Sequence, residues 1–192
     1  MPRRKINLKK FKKKVLACTL CGKKFHGTPR LTSPKGYLDA DTVMLMPAPT
    51  IPDMCEANIM FSSKAHWFLD TLLDVGGFDA RHEGLQVPVT FCISKMTVTC
   101  ARNCFEFTSL FLTKAKLVIV CGNDVYKAFF NDGGIPELLY GTGHKEAAYP
   151  YPFFFFSDYR KVDLEEAYEN DYWRRRIVKE IRAFKSYTER RR

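Results

Sequence analysis

Apolar positions recur in two rhythms along the chain. Residues 43–46 (VMLM) and 116–122 (KLVIVCG) are short, nearly unbroken apolar runs, the pattern of strands buried on both faces. Residues 64–75 (KAHWFLDTLLDV) place Trp67, Phe68, Leu72 and Leu73 at the spacing of an amphipathic helix, which Gly76 and Gly77 stop. A second strand is predicted at 87–94 (VPVTFCIS), with Pro88 near its start, where the lost N–H is tolerated. Helices are predicted at 103–113 and 124–130, a loop at Asp132-Gly133-Gly134, an aromatic last strand at 149–156 (YPYPFFFF), and a long closing helix over 164–185. Strands alternating with helices predict an α/β fold, a three-layer α/β/α sandwich around a mostly parallel sheet, without internal repeats.

Composition adds a size limit and a charge asymmetry. At 192 residues and 46% hydrophobic content the chain has enough apolar surface for one well-cored domain. We place that domain at 39–192, and read 1–38, rich in Lys, Gly, Pro, Ser and Thr around a CTLC pair, as a basic arm and metal-binding lobe outside the core. The formal net charge of +10 gathers at the ends, and no acidic residue precedes Asp39. Clusters of this kind favour a polyanion, most simply DNA. The candidate contacts are Arg3, Arg4, Lys12, Lys13 and Lys14 in the arm, Lys64 at the start of the first long helix, and Arg174 and Arg175 in the last one. No apolar run approaches the ~20 residues of a membrane span, and the charged start lacks the apolar segment of a secretory signal. An intracellular monomer is expected, cytoplasmic or, if the basic tail is an address, nuclear or organellar.

Seven cysteines at an intracellular address argue for metal ligation or buried thiols over disulfides. Cys18 and Cys21 form a CxxC pair, which needs a second pair to hold a metal well, and Cys100 and Cys104, four residues apart, supply one. Four thiolates suit a [4Fe-4S] cluster or a structural zinc, with His26 a rival ligand for zinc. Cys92 and Cys121 lie inside apolar runs and read as core residues.

The run 43–53, VMLMPAPTIPD, breaks from a strand into Pro-Ala-Pro-Thr, as a strand of an open α/β sheet does when it hands over to a ligand-facing loop. This run, then FSSKAHWFLDTLL, VTFCISK, KLVIVCGNDVYKAFF, a late strand and a C-terminal WRRRIVKEIRAF, resembles in order and spacing the iron–sulfur branch of the uracil-DNA glycosylase superfamily. The resemblance implies that fold, and a site that receives a base flipped out of DNA. Ala48 and Pro49, with Thr50 beside them, match the loop that approaches the sugar. Phe61 matches the phenylalanine that stacks on the base. Lys64, Ala65, Leu69, Asp70, Leu72 and Leu73 continue the match through the helix. Lys95 matches the lysine of the third motif, Gly122 the glycine after the central strand, and Cys18 and Cys21 the first cluster ligands.

The chain also departs from that pattern. Pro47 stands where the family carries an acidic residue, Cys92 where it carries the asparagine that reads uracil, and Met96 where it carries a third cluster cysteine. The run 153–158 lacks the family's histidine. Cysteine cannot make the paired amide contacts of asparagine, so the expected substrate is not ordinary uracil. Cleaving an N-glycosidic bond needs a carboxylate or phosphate near C1′, and Asp158 and Asp53 are the candidate catalytic groups, with Glu56 and His66 as weaker alternatives. Besides a glycosylase for a modified or damaged base, two readings stay open: a base-hypermodification transferase acting on viral DNA, and a non-catalytic DNA-binding homologue. No small-molecule cofactor is expected.

Overall fold

A computed structural model describes residues 6–19, 34–47, 64–80, 82–91, 98–130, 135, 139–145, 149–157 and 169–190. Six strands form one sheet: β1 (Lys35–Gly36), β2 (Thr42–Met46), β3 (Gly84–Pro88), β4 (Leu117–Cys121), β5 (Gly143–His144) and β6 (Phe153–Phe156), in the order β1-β3-β2-β4-β6-β5. The four central strands are parallel, and the two-residue edge strands run antiparallel to them. The described helices are α1 (Leu8–Leu16), α2 (Lys64–Val75), α3 (Val98–Asn103), α4 (Phe105–Leu112), α5 (Asn123–Phe129) and α6 (Asp171–Glu189).

Every central-strand residue except Thr42 is buried, which is why these strands read as continuous apolar runs. Alternate residues face opposite sides. Val43, Leu45, Leu85, Val87, Val118, Val120, Phe153 and Phe155 meet Phe11 and Val15 of α1, Phe107 and Phe111 of α4 and Val125 of α5. Met44, Met46, Ile119, Cys121, Phe154 and Phe156 meet Leu72 and Leu73 of α2 and Ile181 and Phe184 of α6. Cys121 is a core residue, as its place in the run implies. From β2 to β3 the chain steps one way across the sheet, with α2 on the second face. From β3 to β4 and on to β6 it steps the other way, with α3, α4 and α5 on the first face. Crossovers of one hand require this change of face when the direction reverses.

The helix predicted at 64–75 and the strands predicted at 43–46 and 116–122 are found, with ends moved by at most one residue. The strand expected at 87–94 begins earlier, at Gly84, and ends at Pro88, where its pairing with β2 ends opposite Met46; 92–94 lie outside the described residues. Its polar Gln86 hid it; that amide is buried and donates to Asp70 of α2 at 2.8 Å. The helix expected at 103–113 is found as α4, one or two residues shorter at each end, with a separate short helix, α3, before it, and only 153–156 of the aromatic run is strand. The closing helix runs Asp171–Glu189. Within the segment read as an arm, α1 puts Phe11 and Val15 into the core, Phe11 lying 5.0 Å from the rings of both Phe91 and Phe111.

Candidate functional site at the carboxyl end of the sheet

Winding reverses between β2 and β4, so the connections leaving their carboxyl ends go opposite ways, and in open α/β sheets ligands bind at such a switch point. On one side β2 ends in the buried Pro47. On the other β4 turns into α5 through Gly122, whose φ of 89° is a conformation that side chains with a Cβ rarely adopt. The strand ends are tied together: the N–H of Gly122 donates to Phe156 O at 2.8 Å, and that of Val89 to Met46 O at 2.9 Å.

A polar network crosses this end of the sheet. The Oδ1 of Asn123, first residue of α5, accepts from Ile135 N at 2.8 Å and from the Tyr140 hydroxyl at 2.9 Å. The Tyr140 ring lies under the Arg176 guanidinium, 3.9 Å from its carbon to the ring centroid. Arg176 Nε donates to Ser157 Oγ at 2.7 Å and to Glu180 Oε1 at 3.0 Å, and a further nitrogen bonds the Tyr172 hydroxyl. The Glu180 carboxylate also accepts from the N–H and hydroxyl of Ser157, at 3.0 and 2.7 Å. Its side chain has 0% exposure and that of Arg176 11%, so this is a buried ion pair clamping α6 to the end of β6. Beside it, a hollow of about 410 Å³ lies between Tyr140, Tyr172, Arg175, Arg176 and Lys179. At the end of β3, Thr90 Oγ1 is buried and has no hydrogen-bond partner among the described residues, a state costing about 1–3 kcal/mol where no other group relieves it.

Charge is distributed unevenly. Lys9, Lys10, Lys12, Lys13 and Lys14 are exposed on α1, where Asn7 caps the first turn by accepting from Lys10 N at 3.0 Å. Arg174 and Arg175 are exposed near the start of α6, Arg174 paired with Asp171. At the opposite, amino end of the sheet lysines are neutralised: Lys116 pairs with Asp41 at 2.6 Å, and Lys114 with Asp39.

The expected site residues divide as follows. Arg3, Arg4, Ala48, Pro49, Thr50, Asp53, Phe61, Cys92 and Asp158 lie outside the described residues, as does Cys21. Lys64 is the first residue of α2. Cys100 and Cys104 are both buried, on α3 and at the α3–α4 break, and Cys18 is half-buried against the core cluster that contains Cys104. Among the described residues no three His, Cys, Asp or Glu side chains come together to hold a metal. Asn123, Tyr140, Ser157, Arg176 and Glu180 were missed by the sequence reading. One signal was present: positions 173, 177, 180, 181 and 184 form the buried stripe of α6, and Glu180 is the acid within it, one turn after Arg176.

No family model matches this chain, and no curated protein matches it either. Among the described residues no helix is long and apolar enough to cross a membrane.

Proposed function

We propose that the chain binds DNA and receives a nucleotide turned out of the strand in the crevice between β2 and β4, in the manner of the uracil-DNA glycosylase superfamily that its motifs resemble. The observation that carries this reading is the reversal of winding at β2 and β4. It gives general physical grounds for a ligand site at the end of the sheet where the sequence turns into Pro-Ala-Pro-Thr. Pro47, Phe91 and Ser157 follow β2, β3 and β6, and the next residues in the chain are Ala48, Cys92 and Asp158, three of the expected site residues. Exposed lysines on α1 and arginines at the start of α6 supply the positive surface a phosphate backbone requires.

The reaction in this proposal is hydrolysis of an N-glycosidic bond to a modified or damaged base, with Asp158 or Asp53 stabilising the cationic sugar and Phe61 stacking on the base. Glu180 is unsuited to that task, since Arg176 already neutralises it. A cysteine-ligated cluster, [4Fe-4S] or zinc, built on Cys18, Cys21, Cys100 and Cys104, belongs to the same proposal, as does an intracellular monomer. Iron content and visible absorbance after anaerobic purification test the cluster.

The deciding experiment is mass spectrometry of oligonucleotides carrying uracil, hydroxymethyluracil, hypoxanthine or thymine after incubation with the protein. Release of one free base, lost in Phe61→Ala, is the expected result. Tight binding with no mass change, and affinity insensitive to Phe61→Ala, would replace the glycosylase with a non-catalytic DNA-binding protein. Affinity independent of salt would overturn the nucleic-acid reading itself.

A further inference from the structure

We infer that the solvent face of α6 is a track for the sugar–phosphate backbone of the DNA whose nucleotide enters the carboxyl-end crevice; this rests on the reading above. Arg175, Lys179, Arg182 and Lys185 recur at steps of three or four residues and so share one face, spanning about 15 Å at 1.5 Å per residue. All four are exposed, and no ion pair to any of them is found among the described residues. The contrast with other cations of the chain is informative. Lys114 and Lys116 pair with Asp39 and Asp41, Arg174 with Asp171 and Arg176 with Glu180. A helix that sets like charges three and four residues apart repels itself, and a row of external anions removes that repulsion.

Position and shape agree with charge. α6 begins at the carboxyl end of the sheet, where Arg176 and Glu180 hold Ser157, and runs back so that Phe184 lies on Phe154 and Phe156, and Tyr187 on Phe154. The row of cations therefore starts at the carboxyl end of the sheet, beside the end of β6, and leads away from it. Two hollows flank it, the one of about 410 Å³ beside Tyr140 and a shallower one of about 620 Å³; Arg175 and Lys179 line both, as does Asp171, whose carboxylate is paired with Arg174. A membrane surface fits less well: an interfacial helix needs a free apolar face, and that of α6 is spent on the sheet through Ile181 and Phe184.

The test is fluorescence anisotropy of the full chain with labelled duplex and single-stranded oligonucleotides over a range of KCl. The variant is Arg175→Gln/Lys179→Gln/Arg182→Gln, with Lys114→Gln/Lys116→Gln as control. Losing three phosphate contacts should lower the slope of log affinity against log salt by about 2 for single strands and about 3 for duplex. The control should keep the wild-type slope. The Tm of the triple variant should equal or exceed that of wild type, so weakened binding cannot be ascribed to unfolding. Lys179→Glu alone should weaken binding further than Lys179→Gln. A wild-type slope in the triple variant, in a protein that binds DNA, would refute the track and leave the crevice reading standing. Failure of the wild type to bind either oligonucleotide at low salt would refute both. Equal loss of binding to phosphatidylserine vesicles, bound by wild type as tightly as DNA, would assign the row to a membrane surface instead.

Discussion

Replacing Glu180 by alanine should destabilise the fold more than any other single change at the carboxyl end, and the cost can be worked from the geometry. The carboxylate is fully buried and, among the described residues, accepts two hydrogen bonds from Ser157 at 3.0 and 2.7 Å and one from Arg176 at 3.0 Å. Glu180→Ala takes this counter-charge from the guanidinium, 11% exposed, and this acceptor from the Ser157 N–H. Breaking a buried pair by removing one partner costs about 3–5 kcal/mol, the orphaned N–H included. At roughly 2–4 °C per kcal/mol for a chain of this size, Tm should fall by about 6–20 °C. The double variant Arg176→Met/Glu180→Leu removes both charges and keeps the volume, so it should be more stable than Glu180→Ala despite carrying two changes. Urea unfolding followed by circular dichroism measures both, with an unchanged m-value required for the comparison. A cost below about 1 kcal/mol for Glu180→Ala, or a double variant no more stable than the single one, would refute the assignment of this ion pair as the clamp between α6 and β6.

Three further outcomes are expected. Phe184→Ala should cost about 3–5 kcal/mol in the same assay, since the ring is wholly buried and packs 5.1–6.0 Å from Phe78, Phe154 and Phe156. Gly36→Ala should cost more than ~1 kcal/mol and speed hydrogen exchange of the Tyr37 amide, because φ is 109° and a Cβ there would lie 2.2 Å from Gly84 O. Burial, and secondarily the neighbouring Tyr149, pushes the Tyr151 pKa up from 10.0 to about 12. The folded state then holds that proton more tightly than the unfolded one, so the stabilisation is complete below pH 10 and is lost as pH rises through about 12. Urea midpoints between pH 9 and 12 should fall more steeply in wild type than in Tyr151→Phe.

Much of the fold was legible because the chain is locally consistent. Runs such as VIV and FFFF have no polar position and can only be strands covered on both sides, and α2 carries its period and its stop in the same stretch of sequence. The failures have one physical cause, polar groups satisfied by distant partners. Gln86 made β3 look like a loop because its donor bond to Asp70 crosses from strand to helix, sixteen residues back in the chain. Glu180 looked like one more charge on a basic helix because Ser157, which it holds, is remote in sequence. The lysine count of α1 masked Phe11 and Val15, which fix that helix to the core while the charges stay in water. Of the candidate site, the β2 ending was readable from Pro-Ala-Pro-Thr, whereas the Asn123–Tyr140–Arg176 connection exists only once α5, Tyr140 and α6 meet.

The two ends of the sheet differ in a way that bears on function. At the amino end Asp41, just before β2, pairs with Lys116, just before β4, and the Asp41 carbonyl accepts from the N–H groups of Lys116 and Leu117 at 2.6 and 3.1 Å. The adjacent strand starts are thereby closed by opposite charge and backbone bonds. At the carboxyl end the buried pair of Arg176 and Glu180 cancels internally, and Asp171 is paired with Arg174, which leaves Arg175 and Lys179 of α6 without a partner carboxylate among the described ion pairs. Their attraction for an anion is strongest at low salt, where the Debye length reaches about 30 Å. The apolar runs set the winding of the sheet and the basic face of α6 sets its charge, and α6 begins at the carboxyl end where the winding reverses; that coincidence is what supports the proposed polyanion partner.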